Sequence, residues 1–298
     1  MAASDSKTAM KYRFLGNTGL LVSQFSFGTM VAIETKNEFE TAFAIMERAF
    51  KRGVNFFDSA ETYNNGRSEE AMGQIVRAGI DRGVWSREDL VLSTKLFFGT
   101  KRSIADGAKP NSQGLSRKHI VEGMKGSLQR LGLDYVDLIF CHRPDPRTPI
   151  EETVRAMNYV IEQGWAFYWG TSEWSARDII EACEIADRLG LIRPAFDQTQ
   201  YNILERSRVE FEYDVLYKKY GYGLTTWSPL AFGILTGKYS KGIPEPNQKP
   251  LQLCQGSRLT NPFFLQFVQK GMSDNIVDIH YEIPAPEARL ALMREQWL

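Results

Sequence analysis

Seven short apolar runs along the chain turn polar at their C-terminal ends. They are FSFGT (25–29), NFFDSA (55–60), LVLSTKL (90–96), YVDLIFCH (135–142), FYWGTS (167–172), FDQTQYN (196–202) and GLTTWSPL (223–230). Runs that are continuously apolar, without alternation, read as parallel strands buried on both faces. Between them, apolar residues recur at helical spacing. In NEFETAFAIMERAFKRG the apolar face is Phe39, Phe43, Met46 and Phe50, and Gly53 closes the helix. TPIEETVRAMNYVIEQG predicts a helix with Thr148 as N-cap, Pro149 in the first turn, Glu151 completing a capping box and Gly164 as the stop. SRKHIVEGMKGSLQRLG and SARDIIEACEIADRLG repeat the pattern from Ser116 and Ser175.

Strands alternating with helices predict parallel βαβ units in an α/β fold. A doubly wound sheet and a (β/α)₈ barrel both satisfy the pattern. The barrel is favoured because strand after strand ends on polar residues, where barrel active sites are built. Ahead of the first run, YRFLGNTGLLVS predicts a hairpin within residues 10–24, with Asn17–Gly19 in its turn. The expectation is a single barrel domain over residues 1–298.

Composition narrows the function. The chain has 298 residues, of which 43% are hydrophobic and 24% charged, ordinary values for a globular protein with a sizeable core. Its 36 basic and 36 acidic residues cancel, which gives no general electrostatic case for nucleic acid or an anionic membrane. Cys141, Cys183 and Cys254 are far apart and odd in number, so they predict neither a disulfide framework nor a metal cluster. The opening MAASDSKTAM has no signal-peptide pattern, and no run reaches the roughly 18 apolar residues of a membrane span. The expectation is a cytoplasmic protein without a metal site and without direct membrane insertion.

The strand ends carry the candidate chemistry. Asp58 ends the second run with Tyr63 in the loop beyond it, Lys95 ends the third, and His142 ends the fourth. Taken singly, each has an ordinary structural role, as a cap, a snorkelling cation or a turn residue. On successive barrel strands they converge. A phenol with an ordinary pKa near 10 is a weak acid at neutral pH, and an ammonium beside it is expected to lower that value while a carboxylate holds the ammonium. Such a group suits proton donation to a carbonyl that is receiving a hydride. No G-x-G-x-x-G occurs, which argues against a Rossmann dinucleotide site. A nucleotide is instead expected at TTWSPLAFGILTGKY (225–239), where Trp227 offers a flat face, Ser228 and loop amides offer donors, and Lys238 offers charge.

The runs NFFDSAETY, STKLFFG, GLSRKHIVEGMKGSLQRLGLDYVDLIFCHRPDP, TPIEETVRAMNYVIEQGWAFYWGTSEWS and GLTTWSPLAFGILTGKY together resemble the aldo-keto reductase family, specifically its voltage-gated potassium channel β-subunit branch. The resemblance covers roughly residues 11–243. It implies that Tyr63 is the proton donor, tuned by Asp58 and Lys95, and that His142 orients the carbonyl. Histidine there is the reductase-like choice and resembles plant-type members. It further implies NADPH/NADP+ bound extended across the barrel mouth. Trp227 would stack on the nicotinamide, Ser172 and Gln198 would bond its carboxamide, and Thr29 and Asp58 would lie near its ribose. The loop Ser228, Pro229, Leu230, Ala231, Phe232 would follow the pyrophosphate, and Lys238 and Arg258 would meet the adenosine phosphate. Met30 and Glu173 complete the implied set. Met30, Phe97, Phe98 and Trp174 are expected to give the substrate pocket an apolar lining for a small carbonyl compound. Implied partners are a potassium channel α subunit and copies of the chain in a homotetramer, which would bring the protein to the inner face of a membrane.

The resemblance stops after GSRL (256–259). The 39 residues that follow contain no recognisable eighth strand with a Gly-rich phosphate loop, and PAPEARLALMREQWL (284–298) predicts a terminal helix. The eighth strand and last helices are therefore expected to be missing or replaced in a divergent or truncated C-terminus. Set against the reductase reading are a regulatory channel subunit or scaffold and a truncated pseudoenzyme with little catalysis.

Overall fold

In the computed structural model, residues 10–30, 39–101 and 107–237 are described. Lys238, Arg258, the eighth strand and the helix expected at 284–298 lie outside them. Up to Pro229 these residues form one compact unit.

The expected hairpin forms from β1 (Tyr12–Phe14) and β2 (Leu21–Ser23), paired antiparallel, with the Leu15 N–H donating to the Leu20 carbonyl across the turn. All seven apolar runs then contribute a strand: β3 (Phe27–Gly28), β4 (Phe56–Asp58), β5 (Val91–Leu96), β6 (Val136–Cys141), β7 (Ala166–Ser172), β8 (Phe196–Gln200) and β9 (Gly223–Trp227). They form one parallel sheet in chain order, β3 through β9. That order decides between the two architectures. A doubly wound sheet reverses its strand order at a switch point, whereas a barrel adds each strand beside the last.

The connections are α1 (Phe39–Lys51), α2 (Arg67–Asp81), α3 (Arg117–Leu131), α4 (Ile150–Glu162), α5 (Ala176–Leu189) and α6 (Asp214–Tyr220). Ser116 and Ser175 cap α3 and α5, accepting the backbone N–H of His119 and Asp178. The expectation for α4 needs correction. Pro149 occupies the N-cap position, and the Thr148 hydroxyl donates to Asp145 Oδ2 at 2.8 Å instead of capping. Proline fixes its own φ and leaves Thr148 one residue too far out, while Asp145 supplies a stronger, charged acceptor.

Alternation along the strands divides the core into two layers. Phe57, Leu92, Ile139 and Trp169 belong to the large cluster that the helices cover. Phe56, Val91, Leu138, Phe140 and Phe196 join Leu15 and Val22 of the hairpin in a smaller cluster on the other face. The period of two then dictates where the polar strand ends point. Asp58 lies two residues beyond Phe56, Lys95 four beyond Val91, His142 two beyond Phe140 and Gln198 two beyond Phe196. All four share the face of the smaller cluster, one layer nearer the C-terminal ends.

Candidate active site

Lys95 is completely buried, and each of its three ammonium protons has an acceptor. Nζ lies 2.5 Å from Asp58 Oδ2, 2.8 Å from the Ser59 carbonyl and 3.1 Å from Tyr63 Oη. Ser93, two residues before Lys95 on the same face, donates to the other Asp58 oxygen at 2.6 Å. Buried charges persist when paired and hydrogen-bonded in this way. Burial alone would lower the Lys95 pKa, but the Asp58 carboxylate and the Tyr63 oxygen outweigh it, and the net direction is upward. The ammonium therefore keeps its proton.

Tyr63 reaches Lys95 because the chain turns sharply after it. Asn64, Asn65 and Gly66 take left-handed φ values of 49°, 56° and 90° before α2 begins. Asn and Gly are the residues that tolerate this conformation, and such strain clusters at functional positions. At Gly66 a Cβ would sit 2.8 Å from Cδ of Arg130. The expected direction of the Tyr63 pKa is corrected by the structure. Burial raises it, Lys95 offsets only part of that, and Asp58 raises it further. The carboxylate that holds the ammonium also cancels much of its field. Because an ammonium has no lone pair, the phenol oxygen accepts from Lys95, and its own proton is directed elsewhere.

His142 follows β6, its backbone N–H bonded to the Leu96 carbonyl at 3.0 Å. Its ring stands edge-on to Tyr63 (centroids 5.8 Å apart) and to Phe98 (5.2 Å). The loop that carries Phe98 is held by Glu61, whose Oε1 accepts from the N–H groups of Phe97 and Gly99, both at 2.8 Å, and meets His119 Nε2 at 3.1 Å. Trp174 does not join this wall. It is buried in the helix-covered core, a second correction, because β7 ends at Ser172 and the left-handed Glu173 (φ 60°) ends the strand alternation before Trp174.

A second set of residues sits beside the first. Ser172 donates to the Gln198 carbonyl at 2.7 Å, and the Gln198 amide lies 3.5 Å from Asp58 Oδ1. Thr29 Oγ1 contacts the Asp58 carbonyl and Ser59 Oγ, both at 3.1 Å, while neighbouring Met30 is 49% exposed. The Trp227 indole N–H donates to Glu173 Oε1 at 2.9 Å, which fixes the ring plane. Glu173 also accepts from the Gln200 N–H (2.7 Å), Thr199 (3.2 Å) and Arg208 (2.5 Å). Burial would raise its pKa, but these donors together hold it below the ordinary carboxylate value. Glu173 and Ser228 have left-handed φ values of 60° and 55°, and the Ser228 carbonyl accepts from Asn202 at 3.0 Å. A hydroxyl, an amide and a held indole face match, in donor chemistry, a flat ring bearing a carboxamide. By itself, the segment after Pro229 is a 3-10 turn in which Ala231 and Phe232 are left-handed and the Gly233 N–H returns to the Leu230 carbonyl at 2.9 Å.

The sequence model of the aldo/keto reductase family matches residues 24–279. The chain belongs to the aldo/keto reductase family. Proteins named "Probable voltage-gated potassium channel subunit beta" from Oryza sativa subsp. japonica and Arabidopsis thaliana are each 55% identical over 244 residues, covering 82% of this chain and 71% of theirs. A Schizosaccharomyces pombe protein, also named as a voltage-gated potassium channel subunit beta, is 48% identical over 253 residues, covering 85% of this chain and 68% of its own. The aldo/keto reductase fold is the (β/α)₈ barrel, and the family generally uses NAD(P)H.

Sequence reasoning missed two residues beside this candidate site, Ser93 and Arg143, the latter donating to Ser172 Oγ at 3.2 Å. Ser93 had a signal, since a strand period of two places it beside Lys95. Arg143 had none, lying just past the strand end, where periodicity no longer tells direction.

Proposed function

We propose that this chain is an NADPH-dependent reductase of aldehydes and ketones. The observation that carries the reading is Tyr63 Oη at 3.1 Å from an ammonium that is itself 2.5 Å from Asp58, all at strand ends beside a held Trp227. When bound, a reduced nicotinamide would supply the hydride for the carbonyl carbon. Trp227 would present the stacking face, Ser172 and Gln198 would bond the carboxamide, and Thr29, Met30 and Asp58 would border the ribose. Glu173 acts by fixing the indole. Ser228, Pro229, Leu230, Ala231 and Phe232 would follow the pyrophosphate, and Lys238 and Arg258 would meet the adenosine phosphate.

Tyr63 is the acid. Its raised pKa keeps the phenol protonated at neutral pH, and Lys95 stabilises the phenolate left when the proton passes to the carbonyl oxygen. Asp58 anchors Lys95, and His142, edge-on to Tyr63, orients the carbonyl oxygen. Phe98 closes the pocket and excludes water.

NADPH titration of the full chain, read by nicotinamide fluorescence and melting temperature together, tests the cofactor. Saturable binding with a raised Tm supports the reading, and a folded chain that does not bind overturns it. Turnover of an aldehyde that vanishes in Tyr63→Phe identifies the acid.

The names of the relatives favour a second role, as a β subunit docked on a voltage-gated potassium channel α subunit. Among the described residues, no helix is long and apolar enough to cross a membrane. Co-purification of the chain with a channel α subunit, retained in Tyr63→Phe, supports this role. Absence of association overturns it.

A further inference from the structure

Among the half-buried arginines, Arg143 stands apart. Arg87, Arg130, Arg206 and Arg208, with side chains 18–27% exposed, each meet a carboxylate at 2.5–2.7 Å: Asp137, Glu69, Glu210 and Glu173. Arg143 is also half-buried, yet its guanidinium donates to two neutral acceptors, the His142 carbonyl at 2.5 Å and Ser172 Oγ at 3.2 Å. Burial lowers its pKa, and the Glu173 carboxylate offsets that from a distance while its own oxygens are taken by Arg208, Gln200, Thr199 and Trp227. A half-buried guanidinium whose direct acceptors are all neutral is incompletely compensated.

Its position says what would complete it. The guanidinium carbon lies 5.9 Å from the Phe98 ring centre and 6.0 Å from that of Trp227. It is therefore set between the two aromatic walls, one residue from His142 and close enough to Tyr63 to act on its phenol electrostatically. An anion held here would sit within a few ångströms of the reacting carbonyl.

We propose that Arg143 is a substrate-binding residue that selects carbonyl compounds carrying a carboxylate close to the reacting carbon, such as 2-oxo acids. This inference rests on the reductase reading. The planar guanidinium would bind the carboxylate through paired N–H donors while Phe98 and Trp227 cover the apolar part of the substrate. Specificity of this kind is strong when a site leaves a charged group unpaired with the wrong substrate.

The test compares phenylglyoxylate with its uncharged methyl ester in the NADPH-loaded full chain and in Arg143→Met and Arg143→Lys. The ratio of kcat/KM for the acid over the ester is expected to fall about 30-fold or more in Arg143→Met, mostly through KM, and to recover in part in Arg143→Lys. An unchanged ratio overturns the inference while leaving the reductase reading intact. An unchanged ratio with NADPH affinity reduced tenfold or more would assign Arg143 to the cofactor and also overturn it. Should neither compound turn over, the reductase reading fails. Calorimetry with benzoate then still decides the anion site. Benzoate binding lost in Arg143→Met supports it, and binding that is absent or survives the substitution overturns it.

Discussion

Two buried aspartates, Asp58 on β4 and Asp197 on β8, end up in opposite circumstances on opposite faces of the same sheet. Asp58 faces the smaller cluster and meets an ammonium, a hydroxyl and an amide. Asp197 lies on the helix-covered side and meets hydroxyls: Thr171 donates to Oδ2 at 2.7 Å and Tyr213 to Oδ1 at 3.1 Å. Burial pushes its pKa up to about 7, and the hydroxyls only partly restrain the rise. A carboxylate with a cation becomes an anchor for charge. A carboxyl group with only neutral donors becomes a proton-binding structural group. The partner decides the role, and depth of burial does not.

The sharpest way to break this contrast is to give Asp58 the surroundings of Asp197. Lys95→Met removes the cation, and unfolding in urea is expected to show a loss of about 3–5 kcal/mol, the typical result of stranding a buried charge. Carbonyl reduction should fall at least about 10³-fold with it. The double variant Lys95→Met, Asp58→Asn should recover much of the stability and none of the turnover. A single variant as stable as the parent would break the comparison.

Tyr63→Phe separates chemistry from anchoring. Turnover should fall about 10²–10⁴-fold, with unfolding free energy changed by less than about 1 kcal/mol, since the Lys95–Asp58 pair is left whole. Next comes Asp197→Asn. Folded Asp197 holds a proton up to about pH 7, and an unfolded aspartate releases it near 3.9. Its contribution to stability is therefore fully present below about pH 4, declines as pH rises, and is lost above about pH 7. Urea unfolding at pH 4.5, 6 and 7.5 should show a decline on the order of a few kcal/mol in the parent, and the slope should flatten in the variant. The smallest expected effect belongs to Glu173, which combines an arginine with neutral donors and so stands between the two aspartates. Glu173→Gln should weaken NADPH binding about tenfold by loosening Trp227, read from nicotinamide fluorescence.

All seven strands of the sheet were legible in the sequence because each lies in an apolar run that ends abruptly on polar residues, and β4, β5 and β6 are buried throughout. Asp58, Lys95, Tyr63 and His142 were legible for the same reason, as polar groups where an apolar run stops. What escaped was direction and field. The capping pattern at Thr148 was present in the letters, but Asp145, three residues earlier, takes the hydroxyl. Trp174 looked like a wall residue, but it lies beyond the end of β7, after the left-handed Glu173, and turns into the core. The Tyr63 pKa could not be signed from composition of the cluster, because burial and Asp58 together outweigh Lys95. Arg143 sits where the strand period ends, so only three-dimensional neighbours reveal it.

The order of the sheet carries a consequence for synthesis on the ribosome. Each strand from β4 to β9 pairs with the one made just before it, so no pairing within the described sheet must wait for a distant partner. The proposed proton-delivery groups lie between Asp58 and His142, and those facing the proposed cofactor are drawn mainly from Ser172 onward. A nascent chain that has emerged to residue 142 already contains Asp58, Tyr63, Lys95 and the strands that bring them together. The proposed acid site can thus be assembled before the residues that would hold the proposed cofactor have been translated.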